Sequence, residues 1–499
     1  MDIKQELMQI LINSLDSFDI EINKKNIIIS KEQDYYSTNI ALTLAKDFHK
    51  KPEEIANIIK NNITDERIEK IDIIYPGTMN IYLTRSYILS RITSIIEKNI
   101  NYGKNNIGNK RKIIIRFNKE NIEESLTIKD IKNLIYIDNI SRIFKYNSYE
   151  IIKEYYFTSS QIESLSIETK KEYLDICMQE NTLKDTIARQ IAYNIYKFYT
   201  DTKKDSSIDF FKKEVIEQVI DIQKKQLDKY RINFDIYSNE DTLYSSGTID
   251  NIINRLNKTG YTYLNEDKLW LKTTIHNDTE DRILITSDGS YTDLIYDIAY
   301  YIDKYNHNYD GIINIIQKDN DITPVISSLK ILGEDIQKLV IKEEKQTKID
   351  NTILNYDTNL IRYYLTDEQA GYDTISEQTN DNPMYNIELA NRLIYSLLKQ
   401  RKITKENNFS TISEPLAYII LDKLQDFEII VKKSCLKEYP QLICDYLLDL
   451  SNLFHEYYQK NKIITEDDKY TNERLNLLLS IKIVINNALD LIGIIPREN

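Results

Sequence analysis

Glycine is scarce in this chain, with ten in 499 residues, where ordinary proteins carry ~7%. Few places remain at which the backbone can approach a nucleotide closely or take a positive φ. Cysteine is scarcer still. Cys177, Cys435 and Cys444 show no metal-ligand spacing and cannot all pair. Inert buried thiols in a reducing compartment are expected. The four histidines, His49, His276, His307 and His455, are equally scattered, so no metal cluster and no nucleophile–histidine pair is legible. Long apolar runs are also missing: none reaches the ~18 residues that a membrane span needs. Asp2 and Glu6 interrupt the apolar start, which argues against a signal peptide. The expectation is a cytoplasmic protein, a monomer, with neither membrane nor DNA as a partner.

What is present describes an ordinary soluble chain, 41% hydrophobic and 29% charged, long enough for two to four domains. Its net charge of −13 argues against a surface coated in positive charge. Nucleic acid stays open as a partner, because binding needs a local basic face and not a basic average. Basic residues gather at Lys110-Arg111-Lys112, at Lys399-Gln400-Arg401-Lys402, and at Lys432-Lys433 with Lys437. Singly, each reads as a solvated helix end or loop. Asn, Ile, Lys and Tyr are abundant throughout, as a codon bias toward A and T would produce, so tyrosine richness alone is no binding signal.

Residues 1–100 read as a small α+β unit. Met1 to Leu15 has helical apolar spacing, Asn39 to His49 and Ser86 to Asn99 predict further helices, and Ile71 to Tyr75 and Ile81 to Leu83 predict strands around a Pro76-Gly77 turn. Over 110–350, a strand at Ile113 to Ile115, a helix from about Ile128 to Tyr146 and a strand from Tyr149 to Phe157 predict a βαβ crossover and a parallel sheet. A piece at about 166–284 interrupts the pattern, helical over about 167–230 and then including a hairpin, Tyr261-Thr262-Tyr263 against Leu269-Trp270-Leu271. Strands at Ile312 to Ile316 and Leu339 to Ile341 resume it. From 357 to 499 only helices are expected, in a bundle of four or five. The fold class is therefore α/β plus all-α.

Certain segments carry more than periodicity. Near the start stand Asp34-Tyr35-Tyr36-Ser37-Thr38-Asn39 and Pro76-Gly77-Thr78-Met79-Asn80. The middle holds Phe234-Asp235-Ile236-Tyr237, Leu243-Tyr244-Ser245-Ser246-Gly247 and Ser287-Asp288-Gly289-Ser290-Tyr291-Thr292. The tail holds Asn380-Asp381-Asn382-Pro383-Met384-Tyr385, Tyr446-Leu447-Leu448-Asp449-Leu450-Ser451 and Leu489-Asp490-Leu491-Ile492-Gly493. In that order the chain resembles the arginyl-tRNA synthetase family from end to end. The resemblance implies a tRNA-recognition-like α+β domain, a Rossmann-type class I synthetase domain with an insertion, and a C-terminal helical anticodon-binding bundle of the DALR type. The family reaction is ATP-dependent ligation of arginine to its tRNA, so ATP, Mg²⁺, arginine and tRNA are the implied ligands.

The signature positions depart from the family. Adenylyl transfer builds charge on phosphate oxygens, which calls for donors at a helix N-terminus and glycine where backbone meets nucleotide. The family supplies His-x-Gly-His after the first strand; here the matching residues are Thr127, Ile128, Lys129 and Asp130. Both imidazoles and the glycine are gone, and Asp130 would repel a triphosphate. In place of the mobile Lys-Met-Ser-Lys-type loop is Lys342 to Lys348, where Lys345 and Lys348 keep the spacing of the two motif lysines. Asn121 matches an asparagine that contacts arginine, and Asp297 an acid that pairs with the substrate guanidinium. Asp293 replaces a tyrosine four residues earlier, Asp319-Asn320-Asp321-Ile322 an Asp-His-His-Gly-like turn, and Thr158-Ser159-Ser160 an Asp-Trp-Gly-like turn. Features facing tRNA are better kept: Asn80 matches a residue at the D-loop, and Tyr385, Asn391 and Arg392 match positions facing the anticodon stem-loop. These losses at separate site positions within an intact frame lead to the expectation of a catalytically degenerate relative acting through tRNA binding. The alternatives are an active arginine–tRNA ligase with divergent ATP-binding motifs and a scaffold that has lost RNA binding too.

Overall fold

The structure, a computed structural model, describes residues 3–16, 22–32, 35–178, 186–245, 247–316, 321–334, 336, 339–343, 351–367, 369, 375–376, 378–379 and 381–497. Asp34, Ser246, Asp319, Asn320, the Lys345 and Lys348 pair, Asn380 and the last two residues lie outside it.

The N-terminal unit runs α1 (Ile3–Asn13), β1 (Ile29–Lys31), β2 (Tyr36–Thr38), α2 (Ile40–Leu44), α3 (Pro52–Asn62), β3 (Ile68–Ile74) and β4 (Thr78–Leu83). Its antiparallel sheet has the order β1-β2-β4-β3. The helices close one face through a core of its own, with Leu7, Leu11, Ile40, Ile55, Ile59, Met79 and Ile81 all buried. The helix expected over 39–49 is shorter, because α2 stops at Leu44 and the following turn carries His49 at φ 50°. At the β3–β4 turn, a Cβ on Gly77 would stand 2.6 Å from that of Pro52, so the close approach of α3 admits only glycine.

Helix α4 (Arg85–Lys98) changes allegiance. Its Leu89, Ile92 and Ile95 belong to the large core shared by the remaining units. Arg85 Nη2 donates to the Ile412 carbonyl at 2.5 Å, and Thr93 Oγ1 to that of Glu406 at 2.9 Å. The core of the first unit therefore closes at Leu83.

The central unit continues with β5 (Lys112–Phe117), α5 (Ile128–Tyr146), β6 (Glu150–Phe157), α6 (Ser159–Cys177), α7 (Ile187–Tyr199), α8 (Ile208–Asp228) and β7 (Ile236–Asn239). It then adds α9 (Asp241–Ser245), α10 (Thr248–Thr259), β8 (Thr262–Asn265), β9 (Lys268–Leu271), β10 (Arg282–Ile285), α11 (Asp293–Asn306), β11 (Gly311–Ile316), α12 (Thr323–Ile331) and β12 (Leu339–Glu343). Five strands form a parallel sheet in the order β12-β11-β5-β6-β7. Ile114 faces one core and Ile115 the other, which explains the unbroken Ile113-Ile114-Ile115 run: both faces of a crossover sheet are covered. Strands β8 to β10 make a small antiparallel sheet. The span expected as an insertion is not all outside the sheet, since β7 pairs with β6.

The tail is five helices: α13 (Thr358–Thr366), α14 (Pro383–Gln400), α15 (Pro415–Lys437), α16 (Gln441–Lys460) and α17 (Asp468–Leu491). Asn382 caps α14, accepting from the Tyr385 amide at 3.1 Å, with Pro383 at the first helical position. A buried hub locks this bundle to the sheet unit. The Arg362 side chain on α13, fully buried, donates to the Ile492 and Tyr230 carbonyls at 2.9 Å each and to Asp138 on α5 at 2.7 Å. Asp138 also takes Lys153 at 2.7 Å and Arg142 at 2.8 Å. Gly493 lies beside this guanidinium at φ +64°, where a Cβ would come within 2.0 Å of Arg362 Nη2. Among the described residues no helix is long and apolar enough to cross a membrane.

Candidate active site

In a parallel sheet the crevice opens at the carboxyl ends of the strands, where the chain switches direction. Here the switch lies at β5, which has β6 on one side and β11 on the other. A cavity of about 510 Å³ stands at that point. Five carboxylates line it, those of Glu120, Glu240, Asp293, Asp297 and Asp321, with a single guanidinium, that of Arg116. Formal charge in the crevice is thus strongly negative.

Arg116 is the fifth consecutive buried or half-buried side chain of β5. Its side chain is 5% exposed, and Nη1 donates to Asp297 Oδ1 at 3.1 Å. The guanidinium carbon lies 4.0 Å from the Tyr156 ring centre and 4.3 Å from that of Tyr300. Burial opposes its charge, but Asp297 and the surrounding tyrosines outweigh this and hold it protonated above the usual arginine range. The cage is rigid. Tyr300 donates to the fully buried Glu154 at 2.6 Å, which also takes Lys304 at 3.0 Å and Ser238 at 2.8 Å.

Helix α6 begins in the wall of this cavity, and α5, the crossover after β5, begins at the same edge of the sheet; each start carries one of the chain's own acids. At α5, Thr127 Oγ1 accepts from the Asp130 amide at 3.2 Å, while Asp130 Oδ2 accepts from the Thr127 amide at 2.8 Å. This is a capping box. At α6, Thr158 and Gln161 form a second such box, and the Ser159 amide donates to Glu240 Oε2 at 2.7 Å. Burial pushes the Glu240 carboxyl up to about 7, against the pull of the Ser159 amide and Arg116. Gln161 Nε2 further pins the loop after β5, donating to the Lys119 and Glu120 carbonyls at 2.5 and 2.9 Å. Buried Lys119 folds back onto the carbonyls of Asn121 and Glu124.

Of the residues expected to contact a substrate, nucleotide or tRNA, Asp297 lines the cavity, and so do Thr158, Ser160, Asp293, Asp321 and Ile322 from the positions where the chain departs from the family. Asn121 is exposed and its Oδ1 accepts from the Glu123 amide at 2.9 Å, in its own turn. Thr127 and Asp130 are engaged with each other, and Lys129 is half-buried on the same turn. Asn80 lies half-buried on β4, paired in register with Ser37 and Asp72. Tyr385 and Arg392 meet on α14, the guanidinium carbon 5.7 Å from the ring centre. Asn391 is a correction to its expected outward role: it is 1% exposed, and Nδ2 donates to the Arg497 carbonyl at 3.3 Å. A helix position one step from Arg392 turns about 100° away, here into the packing with the chain's end. Arg116 and Glu240 were not anticipated. A charged residue amid Ile113-Ile114-Ile115 and Phe117 was the available signal for the first.

Two regions match family models, residues 1–83 the arginyl tRNA synthetase N terminal domain and residues 390–499 the DALR anticodon binding domain. The arginine–tRNA ligase of Staphylococcus carnosus is 29% identical, over 93% of this chain and 92% of that protein. That of Staphylococcus aureus is 27% identical, over 100% of this chain and 99% of its own. Among solved structures, the arginyl-tRNA synthetase of Thermus thermophilus superposes with a TM-score of 0.68 at 15% identity, covering 99% of both chains. The Plasmodium falciparum arginyl-tRNA synthetase gives 0.71 at 16% identity, covering 100% of this chain and 99% of the other. Parallel sheet, switch-point crevice and helical bundle define the frame of a class I aminoacyl-tRNA synthetase. With both ends matched and the likeness running the full length, the chain belongs to the arginyl-tRNA synthetase family.

Proposed function

We propose that this family member holds tRNA in the cytoplasm, as a monomer, and no longer ligates arginine to it. The observation that supports the reading is that the helix starts after β5 and β6 each already hold a carboxylate, Asp130 at α5 and Glu240 at α6, the second in the wall of the crevice. A phosphate group binds such a terminus through free amides and the positive end of the dipole. Here the Thr127 and Ser159 amides already donate to acids of the chain itself, which bring negative charge to both helix starts. The described residues at these helix starts therefore do not fit a nucleoside triphosphate. Loss of the imidazoles and glycine of the signature at Thr127 to Asp130 agrees with this. For tRNA, the matching anticodon-binding domain supports retained binding. Asn80, Tyr385 and Arg392 are the proposed contacts, and the units 1–100, 110–350 and 357–499 the proposed division of labour.

A second reading has its own support: the likeness to arginine–tRNA ligases over the whole length by itself favours an active ligase with divergent motifs. One assay separates them. Purified protein is incubated with ATP, Mg²⁺, labelled arginine and homologous tRNA, and acid-precipitable label is counted beside a known synthetase. The expected result is no charging, together with retention of tRNA on a filter. Charging above the protein-free blank would establish the ligase reading.

A further inference from the structure

A planar cation held between two tyrosine faces and paired with a carboxylate is the arrangement by which proteins recognise guanidinium groups. In the crevice that arrangement is complete, but the guanidinium comes from the chain itself. We infer that Arg116 is a built-in occupant of the guanidinium subsite, closing it to free arginine and to other guanidinium compounds. The inference deepens the proposed function and rests on the family resemblance that makes Asp297 the guanidinium acceptor.

Three observations support it. Asp297, which would pair with a substrate, pairs instead with Arg116 at 3.1 Å. Tyr156 and Tyr300 present their faces to Arg116, and Tyr300 is fixed there by Glu154. Finally, Arg116 Nε is buried with no hydrogen-bond partner. A guanidinium that had evolved with a dedicated structural socket would have its donors satisfied; this one is held chiefly by charge and ring faces. A second guanidinium entering would meet a like charge at ion-pair range in a partly desolvated site, which costs several kcal/mol at ~4 Å. Exclusion therefore needs no movement of the backbone, only the presence of one side chain.

The test uses Arg116→Ala in the full chain, with guanidinium ion, agmatine and L-arginine as probes at low millimolar concentration, read by calorimetry. The truncated side chain leaves a space bounded by Tyr156, Tyr300 and Asp297. Agmatine and guanidinium should bind this variant about tenfold or more tightly than they bind the unmodified protein. Arg116→Ala combined with Asp297→Asn should lose that binding. Equal, negligible binding by the variant and the unmodified protein would overturn the inference while leaving the loss of ligation intact, since that also rests on Asp130 and Glu240. The unmodified protein supplies a measurement independent of whether the variant folds. It should show no saturable arginine binding; arginine binding that disappears in Asp297→Asn overturns the inference outright.

Discussion

Single residues decide the chemistry of this crevice through charge held out of water. Glu240 is 4% exposed, and its carboxyl is raised from 4.5 to about 7 by burial. A carboxyl whose folded-state value lies above its unfolded one binds more protons when folded, so it contributes stability at low pH and loses it as pH rises. The window runs from 4.5 up through about 7. Glu240→Gln keeps an acceptor for the Ser159 amide and removes the titration. At pH 8 the variant should be more stable than the parent by roughly 1–3 kcal/mol, and at pH 4 nearly equal to it. Urea unfolding at both values measures this. A stability difference that is the same at both pH values would refute the raised carboxyl.

At the scale of elements, helix α5 shows what stands at the position of the family signature in this chain. Thr127 and Asp130 now form the cap of a 19-residue helix. Thr127→Ala should cost about 1 kcal/mol of stability and leave tRNA retention unchanged, as judged by unfolding midpoint and filter binding together. A fall in tRNA affinity without a fall in stability would reveal a recognition role instead. The helix itself was legible: the expected span, about Ile128 to Tyr146, is the observed one. Helix α3 and the strands β1 and β2 went unread. Strands of three residues are too short for a period of two to register, and α3 opens with Pro52, Glu53 and Glu54 behind two lysines. In the crevice, Asp297 could be placed by resemblance. Its union with Arg116 could not, because the two lie 181 positions apart and only the sheet brings them together. Asn391 shows the converse, a motif position that tertiary packing turned inward.

For the whole molecule, the principal seam falls before α4. Residues up to Leu83 have their own core, whereas Leu89, Ile92 and Ile95 complete the core of everything that follows. A chain begun at residue 84 should therefore unfold with a midpoint close to that of the corresponding part of the full protein. One begun at residue 101 should lose roughly 5 kcal/mol or more, from the buried aliphatic side chains of α4 alone. Equal chemical unfolding midpoints for the two truncations would show that α4 is dispensable. The opposite end is bound just as deeply. Arg362, buried between the sheet and the bundle, finds one of its acceptors at Ile492 and lies against Gly493. Synthesis proceeds from the N-terminus, and domains form as they emerge. A nascent chain carries Arg362 long before the ribosome has made its last carbonyl partner. Any product that stops short of Ile492 would thus keep a charged donor unsatisfied in its interior, a cost of several kcal/mol. A chain cut back before Ile492 is therefore expected to stay loose at this joint and to be cleaved faster by a protease than the uncut protein.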